Sequence, residues 1–305
     1  MVVGLKLVSR VGWIAALAAG ALLVASGSAV ADATLSCGET ITADVTLQAN
    51  IGGCSGDGLL VAGDGVTVDL NGHAISGSGN GTGVTVTGAH VTIQNGLVRG
   101  FLVGVRSFGS SGGGDYTRIW RVKVTANDTG ILAFSNFGTI EDSKISANAH
   151  DGISGGGGSG WAIRDSEISD NGRAGVVLFS ALDSMVVRNS ITGNSGNGID
   201  FRFSVDRAMI ADNVVARNGG FGIHVIDSTT QVLRNTARSN GDTGIYLSEG
   251  ANPSAVQFYV ITENVSNKNG GFGISATLGM IDGGGNVAKD NALTPECINV
   301  VCSKK

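Results

Sequence analysis

The chain has 305 residues, 50 of them glycine and only two proline, so it is long enough for a sizeable core and rich in permissive turn positions. Its 20 basic and 25 acidic residues leave a net charge of −5, which speaks against a nucleic-acid partner.

The first 31 residues carry Lys6 and Arg10, then an apolar run from Val11 to Ala25, then Ala29-Val30-Ala31 ahead of Asp32. This pattern predicts a secretory signal, because the run is short for a bilayer span and a small-residue cleavage site follows it. Residues 32–305 are then expected to form one exported domain, extracellular or periplasmic. No later segment reads as transmembrane, so no stable membrane insertion is expected after cleavage.

Four cysteines follow, Cys37 and Cys54 near one end and Cys297 and Cys302 near the other. An even count in an exported chain predicts disulfides. About ten stacked rungs at about 4.8 Å each would hold the two ends roughly 48 Å apart, far beyond disulfide reach, so the pairs must be local.

Short β-branched runs such as Val66-Thr67-Val68 and Val91-Thr92-Ile93 alternate with Gly, Asn, Asp and Ser, and no segment sustains a helical apolar period. A Gly-Ile/Val step recurs at Gly83, Gly104, Gly130, Gly152, Gly175, Gly198, Gly222, Gly244 and Gly273, with gaps of 21 to 29 residues. Each repeat closes on an asparagine: Asn127, Asn148, Asn171, Asn194, Asn218, Asn240, Asn269 and Asn291. Two phase-locked markers predict a solenoid with one strand unit per repeat. The set Ile140, Ile163, Val187, Ile210 and Leu233, and the set Ile145, Ile168, Ile191 and Val214, are expected to form inward ladders. The asparagines are expected to bond from rung to rung. The runs Gly112–Gly114 and Gly155–Gly158 read as turns, since no Gly-Lys-Ser/Thr follows either.

The opening Cys37-Gly38-Glu39-Thr40-Ile41 through Cys54, the run from Gly65 to Gly77, and the closing Gly284 to Asn291 with Cys297 and Cys302 resemble the secreted right-handed parallel β-helix repeat proteins. These form the pectate-lyase-like superfamily, and the similarity extends distantly to its mannuronan C5-epimerases and periplasmic copper-accessory proteins. The resemblance implies an all-β, single-stranded right-handed parallel β-helix. Its members include polysaccharide lyases, epimerases, polygalacturonase-type hydrolases and phage tailspikes. The Asp-Pro-His-Asp/Glu signature of the epimerases and the Gly-His-Gly and Arg-Ile-Lys motifs of the polygalacturonases have no counterpart here, so no catalytic residue carries over.

Candidate chemistry comes instead from strand alternation. If the Ile or Val after each glycine points inward, the next residue points out, giving the column Thr85, Arg106, Leu132, Ser154, Val177, Asp200, His224, Tyr246 and Ser275. Two residues on, the next outward column is Phe108, Phe134, Gly156, Phe179, Arg202, Ile226 and Ser248. Asp200, Arg202, His224 and Tyr246 therefore converge, a set suited to taking a proton beside a substrate carboxylate. Arg202 would neutralise that carboxylate, His224 or Tyr246 would take the proton, the other would donate one, and Asp200 would orient the imidazole. This points to a lyase or epimerase acting on an extracellular uronate polysaccharide. Two alternatives are a glycoside hydrolase and a non-catalytic protein that binds glycan or cell-wall polymer on the same face. Asp200, Asp227 and Glu249 also form a hard-oxygen set for Ca²⁺. The fold itself requires no cofactor. Of the remaining histidines, His73, His90 and His150 sit at turns and are expected to be structural or solvated, with His150-Asp151 a minor candidate.

Overall fold

The computed structural model describes residues 31–108, 113–203, 205–226, 229–248 and 260–304, and these form a parallel β-solenoid. Among them every regular element is a strand. The signal segment expected over residues 1–31 lies outside this range apart from Ala31. The boundary before Asp32 falls within the strand Ala31–Ala33, which pairs in parallel with Val45–Leu47.

Each turn contributes three short strands. One column makes a twelve-stranded sheet running from Glu39–Ile41 to Cys297–Ile298, so eleven steps separate its ends. The other two columns form a 22-stranded sheet. They are fused where the eight-residue strands Thr92–Arg99 and Arg118–Thr125 run through both, and they separate afterwards into pairs such as Thr139–Glu141 and Lys144–Ser146. The corner between these two columns is one left-handed residue per turn, among them Arg121, Asp142, Asp165, Arg188, Asp212 and Arg234. Asp tolerates this conformation through local bonding, and Arg188 and Arg234 reach back one rung to hold an aspartate, whereas Arg121 lies over the Trp120 ring. Arg188 grips Asp165 with Nε and Nη2 at 2.7 Å each, and Arg234 grips Asp212 at 2.8 and 2.9 Å.

The residue after each repeat glycine is buried without exception: Val84, Val105, Ile131, Ile153, Val176, Ile199, Ile223, Ile245 and Ile274 all have no exposed surface. The glycine itself is required by packing, since a Cβ on Gly198 would lie 2.3 Å from the Val215 side chain and 2.6 Å from the Gly222 carbonyl. A second inward ladder runs Ile140, Ile163, Val186, Ile210, Val232 and Ile261, and a third Ile145, Ile168, Ile191 and Val215. Three positions expected inside are therefore outside by one residue: Val187, Leu233 and Val214. Each sits next to a second β-branched or aliphatic residue, and with apolar side chains on both faces the alternation carries no sign. Gly155 and Gly156, expected in a turn, belong to the strand Ile153–Gly156.

The asparagine ladder forms as expected. From Asn148 to Asn291 each side-chain oxygen accepts from the backbone N–H and the amide of the preceding asparagine, with amide-to-oxygen distances of 2.8 to 3.1 Å, and the first oxygen, that of Asn127, accepts from the Phe101 N–H. Glu296 ends it by accepting from the Asn291 amide at 2.7 Å. A second ladder of Asn189, Asn213, Asn235, Asn264 and Asn286 runs in step, five residues earlier in each repeat. Disulfides join Cys37 to Cys54 and Cys297 to Cys302, one near each end, as the spacing predicts.

Candidate functional site

The twelve-stranded sheet brings the predicted cluster together on its eighth to tenth strands, Ile199–Arg202, Ile223–Ile226 and Ile245–Ser248. Their register pairs Asp200 with His224 and His224 with Tyr246, one rung apart each. Ile199 and Phe201 point into the core, which turns Asp200 and Arg202 to the same outer face.

Asp200 is the hub. It has no exposed surface, yet both oxygens are engaged. Oδ1 meets His224 Nδ1 at 2.9 Å, and Oδ2 accepts from Arg202 Nε at 2.9 Å, from Arg202 Nη2, and from Asn197 Nδ2 at 2.9 Å. Burial alone would raise the Asp200 carboxyl, but the bonds from His224 and Arg202 outweigh it and hold the group below its ordinary value. The same carboxylate raises the Arg202 guanidinium. The bonds thus favour the ionised form of Asp200, which fixes the His224 ring through Nδ1.

His224 belongs to a cluster of three nearly parallel rings, with Phe221 stacked against both His224 and Tyr246. Its centroid lies 4.8 Å from Phe221 and 5.5 Å from Tyr246, with interplanar angles of 19° and 18°, and Phe221 lies 5.0 Å from Tyr246. The His224 side chain keeps 12% of its surface exposed. His224 Nε2 and the Tyr246 hydroxyl make no hydrogen bond among the described residues. Two titratable groups are therefore unengaged beside a carboxylate whose bonding is complete.

Asn197 and Phe221 are functional neighbours that the sequence reading missed. Asn197 donates to Asp200 and accepts from the Phe221 N–H at 3.0 Å, tying the turn that carries Phe221 to the carboxylate. Both stand directly before a repeat glycine, in an outward column with Asp151, Ala174 and Thr243. Simple alternation counted back from Asp200 would place Gly198 outside and Asn197 inside. The packed corner at Gly198 breaks that count.

A cleft of about 450 Å³ opens on the earlier side of Asp200, where Asp151, Arg173, Asn197, Asp200 and Arg202 surround the small side chains of Ala174 and Val177. His224 and Tyr246 lie one and two rungs beyond its wall. In the next outward column Phe179 lies over Gly156, whose added Cβ would be 2.3 Å from the ring, and its centroid is 5.9 Å from that of Phe134. Of the candidate calcium ligands, Asp227 and Glu249 lie outside the described residues. Asp200 is taken up by its three neighbours, and no group of three His, Cys, Asp or Glu side chains among the described residues is placed to hold a metal ion. His150 pairs with Asp128 at 2.8 Å, and His90 stacks on Tyr116 at 4.5 Å.

Three parallel strand columns, inward aliphatic ladders and a polar cluster on one outer sheet define a parallel β-solenoid with a cleft on its flank. The family described as right handed beta helix region matches residues 103–260, more than half of the chain. The chain belongs to this family. Among solved structures it is similar to the Dettilon tailspike protein, at 17% identity and a TM-score of 0.67, with 88% of this chain and 60% of that chain covered. It thus spans about three fifths of the tailspike's length. Pectate lyase Pel9A follows at 16% identity and a TM-score of 0.53, covering 88% and 82%. The A-module of the Azotobacter vinelandii mannuronan C-5 epimerase AlgE6 aligns at 15% identity and a TM-score of 0.50, covering 87% and 91%. Likeness at these identities speaks to fold. A search of the curated proteins finds no match.

Proposed function

We propose that this chain is an exported carbohydrate-active β-helix protein that removes the proton beside the carboxylate of a uronate-containing polysaccharide. The observation that carries the reading is the unengaged pair, His224 Nε2 and the Tyr246 hydroxyl, stacked together and anchored by a fully bonded Asp200. With Nδ1–H directed at Asp200, the lone pair of the neutral ring sits on Nε2, the position of a general base. Asp200 stabilises the imidazolium that forms. In elimination the C5–H bond breaks, its electrons form the C4–C5 double bond, and the C4–O4 bond breaks as Tyr246 donates its proton to O4. In epimerisation the C5 carbanion is reprotonated on its other face.

The printed names of a pectate lyase and a mannuronan epimerase among the structural neighbours favour a polysaccharide of this kind. The two disulfides and the segment before Asp32 favour export.

The protein should be incubated with alginate, pectate, hyaluronan, chondroitin and heparin-type polymers while absorbance near about 235 nm is followed for the unsaturated product of proton abstraction and elimination. Parallel reactions in D₂O, read by NMR, detect exchange at C5. A signal in either assay that falls by about 100-fold or more in His224→Ala and Tyr246→Phe supports the reading. Binding of a polymer without product or exchange in folded protein would replace it with the non-catalytic reading.

A further inference from the structure

The cleft contains a cation that the Asp200 network does not use. Arg173 lies in the turn before the strand Val176–Phe179 and lines the cleft with Asp151 and Asn197. Its backbone is fixed on both sides: its N–H donates to the His150 carbonyl at 3.1 Å, and its carbonyl accepts from Gly196 at 2.8 Å. Its side chain is exposed and makes no hydrogen bond or ion pair among the described residues. Arg202 differs, because its Nε and Nη2 are both committed to Asp200.

The neighbours of Arg173 keep its surroundings open. One rung on, the equivalent position is Gly196, where an added Cβ would approach the Arg173 carbonyl carbon at 3.0 Å. Ala174 and Val177 give the cleft little bulk on the same rung. One rung earlier the equivalent position is His150, whose ring is paired with Asp128, and Asp151 stands beside it in the next column. The Asp151 Oδ1 accepts the Ala174 N–H at 3.0 Å, its second oxygen makes no hydrogen bond or ion pair among the described residues, and its charge acts on Arg202 across the cleft.

A free guanidinium and a free carboxylate oxygen on adjacent rungs, about 4.8 Å apart along the axis, ask for a ligand with an anion and hydrogen-bond donors close together. A neutral sugar offers the planar fork of Arg173 no anion to bind. A sulfate or phosphate would satisfy Arg173 but offers no donor to Asp151, which would repel it. A sugar acid supplies both, its carboxylate to the planar fork of Arg173 and a ring hydroxyl to Asp151. We infer that Arg173 is the carboxylate-binding residue of this cleft and that Asp151 selects for hydroxyls beside the acid. The inference rests on the uronate reading above; Arg173 lies two rungs, about 10 Å along the axis, from His224, so the carboxylate it holds belongs to a sugar next to the one that reacts.

The test is direct binding, measured by titration calorimetry on the whole protein with tetramannuronate and tetragalacturonate and with the same oligosaccharides after reduction of their carboxyl groups. The wild type is expected to bind one acidic tetramer and to bind its reduced form at least about tenfold more weakly. Arg173→Ala should lower affinity for the acid by a similar factor, leave the weak binding of the reduced form unchanged, and melt with the wild type, since the side chain holds nothing in place. Arg173→Lys should fall between, keeping charge and losing the fork. If Arg173→Ala binds the acid as the wild type does, the inference fails and the uronate reading stands. If wild type binds neither acid, the uronate reading itself falls, and this inference with it.

Discussion

At Asp200 burial and hydrogen bonding act on the carboxyl in opposite directions. The bonds prevail, so its folded pKa lies below the ordinary 3.8. The sign of the resulting stability term follows: it is fully present above the ordinary value and is lost as pH falls through the lowered one. Asp165, Glu167, Asp183 and Asp212 are lowered as well, each chiefly by a bond from Arg188, Lys144, Arg207 or Arg234, but these pairs are exposed and contribute little. Asp200→Asn should therefore cost about 3 kcal/mol at neutral pH, by leaving Arg202 and the His224 Nδ1–H without their anion. It should also flatten the acid limb below about pH 4, and urea melts of both proteins from neutral to strongly acidic pH read both effects. An unchanged acid limb would show that the carboxyl is not ionised through these bonds. The convergence of Asp200, Arg202, His224 and Tyr246 was legible in the sequence because each follows a repeat glycine by a fixed count. The partnership between Arg202 and Asp200 was not, since alternation places side chains on a face without saying which neighbour they bend toward. Nor was the idle Arg173, which lies in a turn where the period-two count does not apply.

For the strands, the legible part of the fold is the part marked by glycine and asparagine. A residue that must be glycine because a Cβ would strike the next rung, and an asparagine whose amide has one place to bond, both fix phase, as Gly198 and Asn194 do. Aliphatic residues fix phase only where their neighbours are polar. Ile140, between Thr139 and Glu141, and Ile145, between Lys144 and Ser146, satisfy that condition and were placed correctly. Met185-Val186-Val187, Val232-Leu233 and Val214-Val215 do not, and each was read one residue out of step. The difference is measurable. Val186 is fully buried, whereas Val187 lies on the outer face, so Val186→Ala should lower stability by about 2 kcal/mol and Val187→Ala by well under 1 kcal/mol. Equal losses would contradict the register. The second asparagine ladder, from Asn189 to Asn286, was equally available, because it keeps a constant five-residue lead on the first.

In the whole molecule each rung touches only its neighbours, so stability is distributed along the axis and the ends are protected by their own devices. The Cys37–Cys54 bond closes 17 residues, worth about 3 kcal/mol by loop entropy, and the Cys297–Cys302 bond closes five, worth about 2 kcal/mol. Their distances from the candidate site differ far more than these energies. Asp200 sits on the eighth of twelve strands, so seven steps separate it from the strand beside Cys37, whereas Tyr246 is two steps from the strand that carries Cys297. Opening of a stacked array spreads from an end and decays over successive interfaces, so the smaller cap is expected to matter more to the site. Replacing Cys297 and Cys302 by serine should raise amide exchange at Ile274–Ala276 most, at Ile245–Ser248 next and at Ile223–Ile226 least, and should loosen the ring stack around His224. The same change at Cys37 and Cys54 should raise exchange over Glu39–Val61 and leave the site as it was. Equal loss of protection at His224 in both variants would mean that the solenoid opens as one cooperative unit, with the site coupled to both ends rather than to the near one.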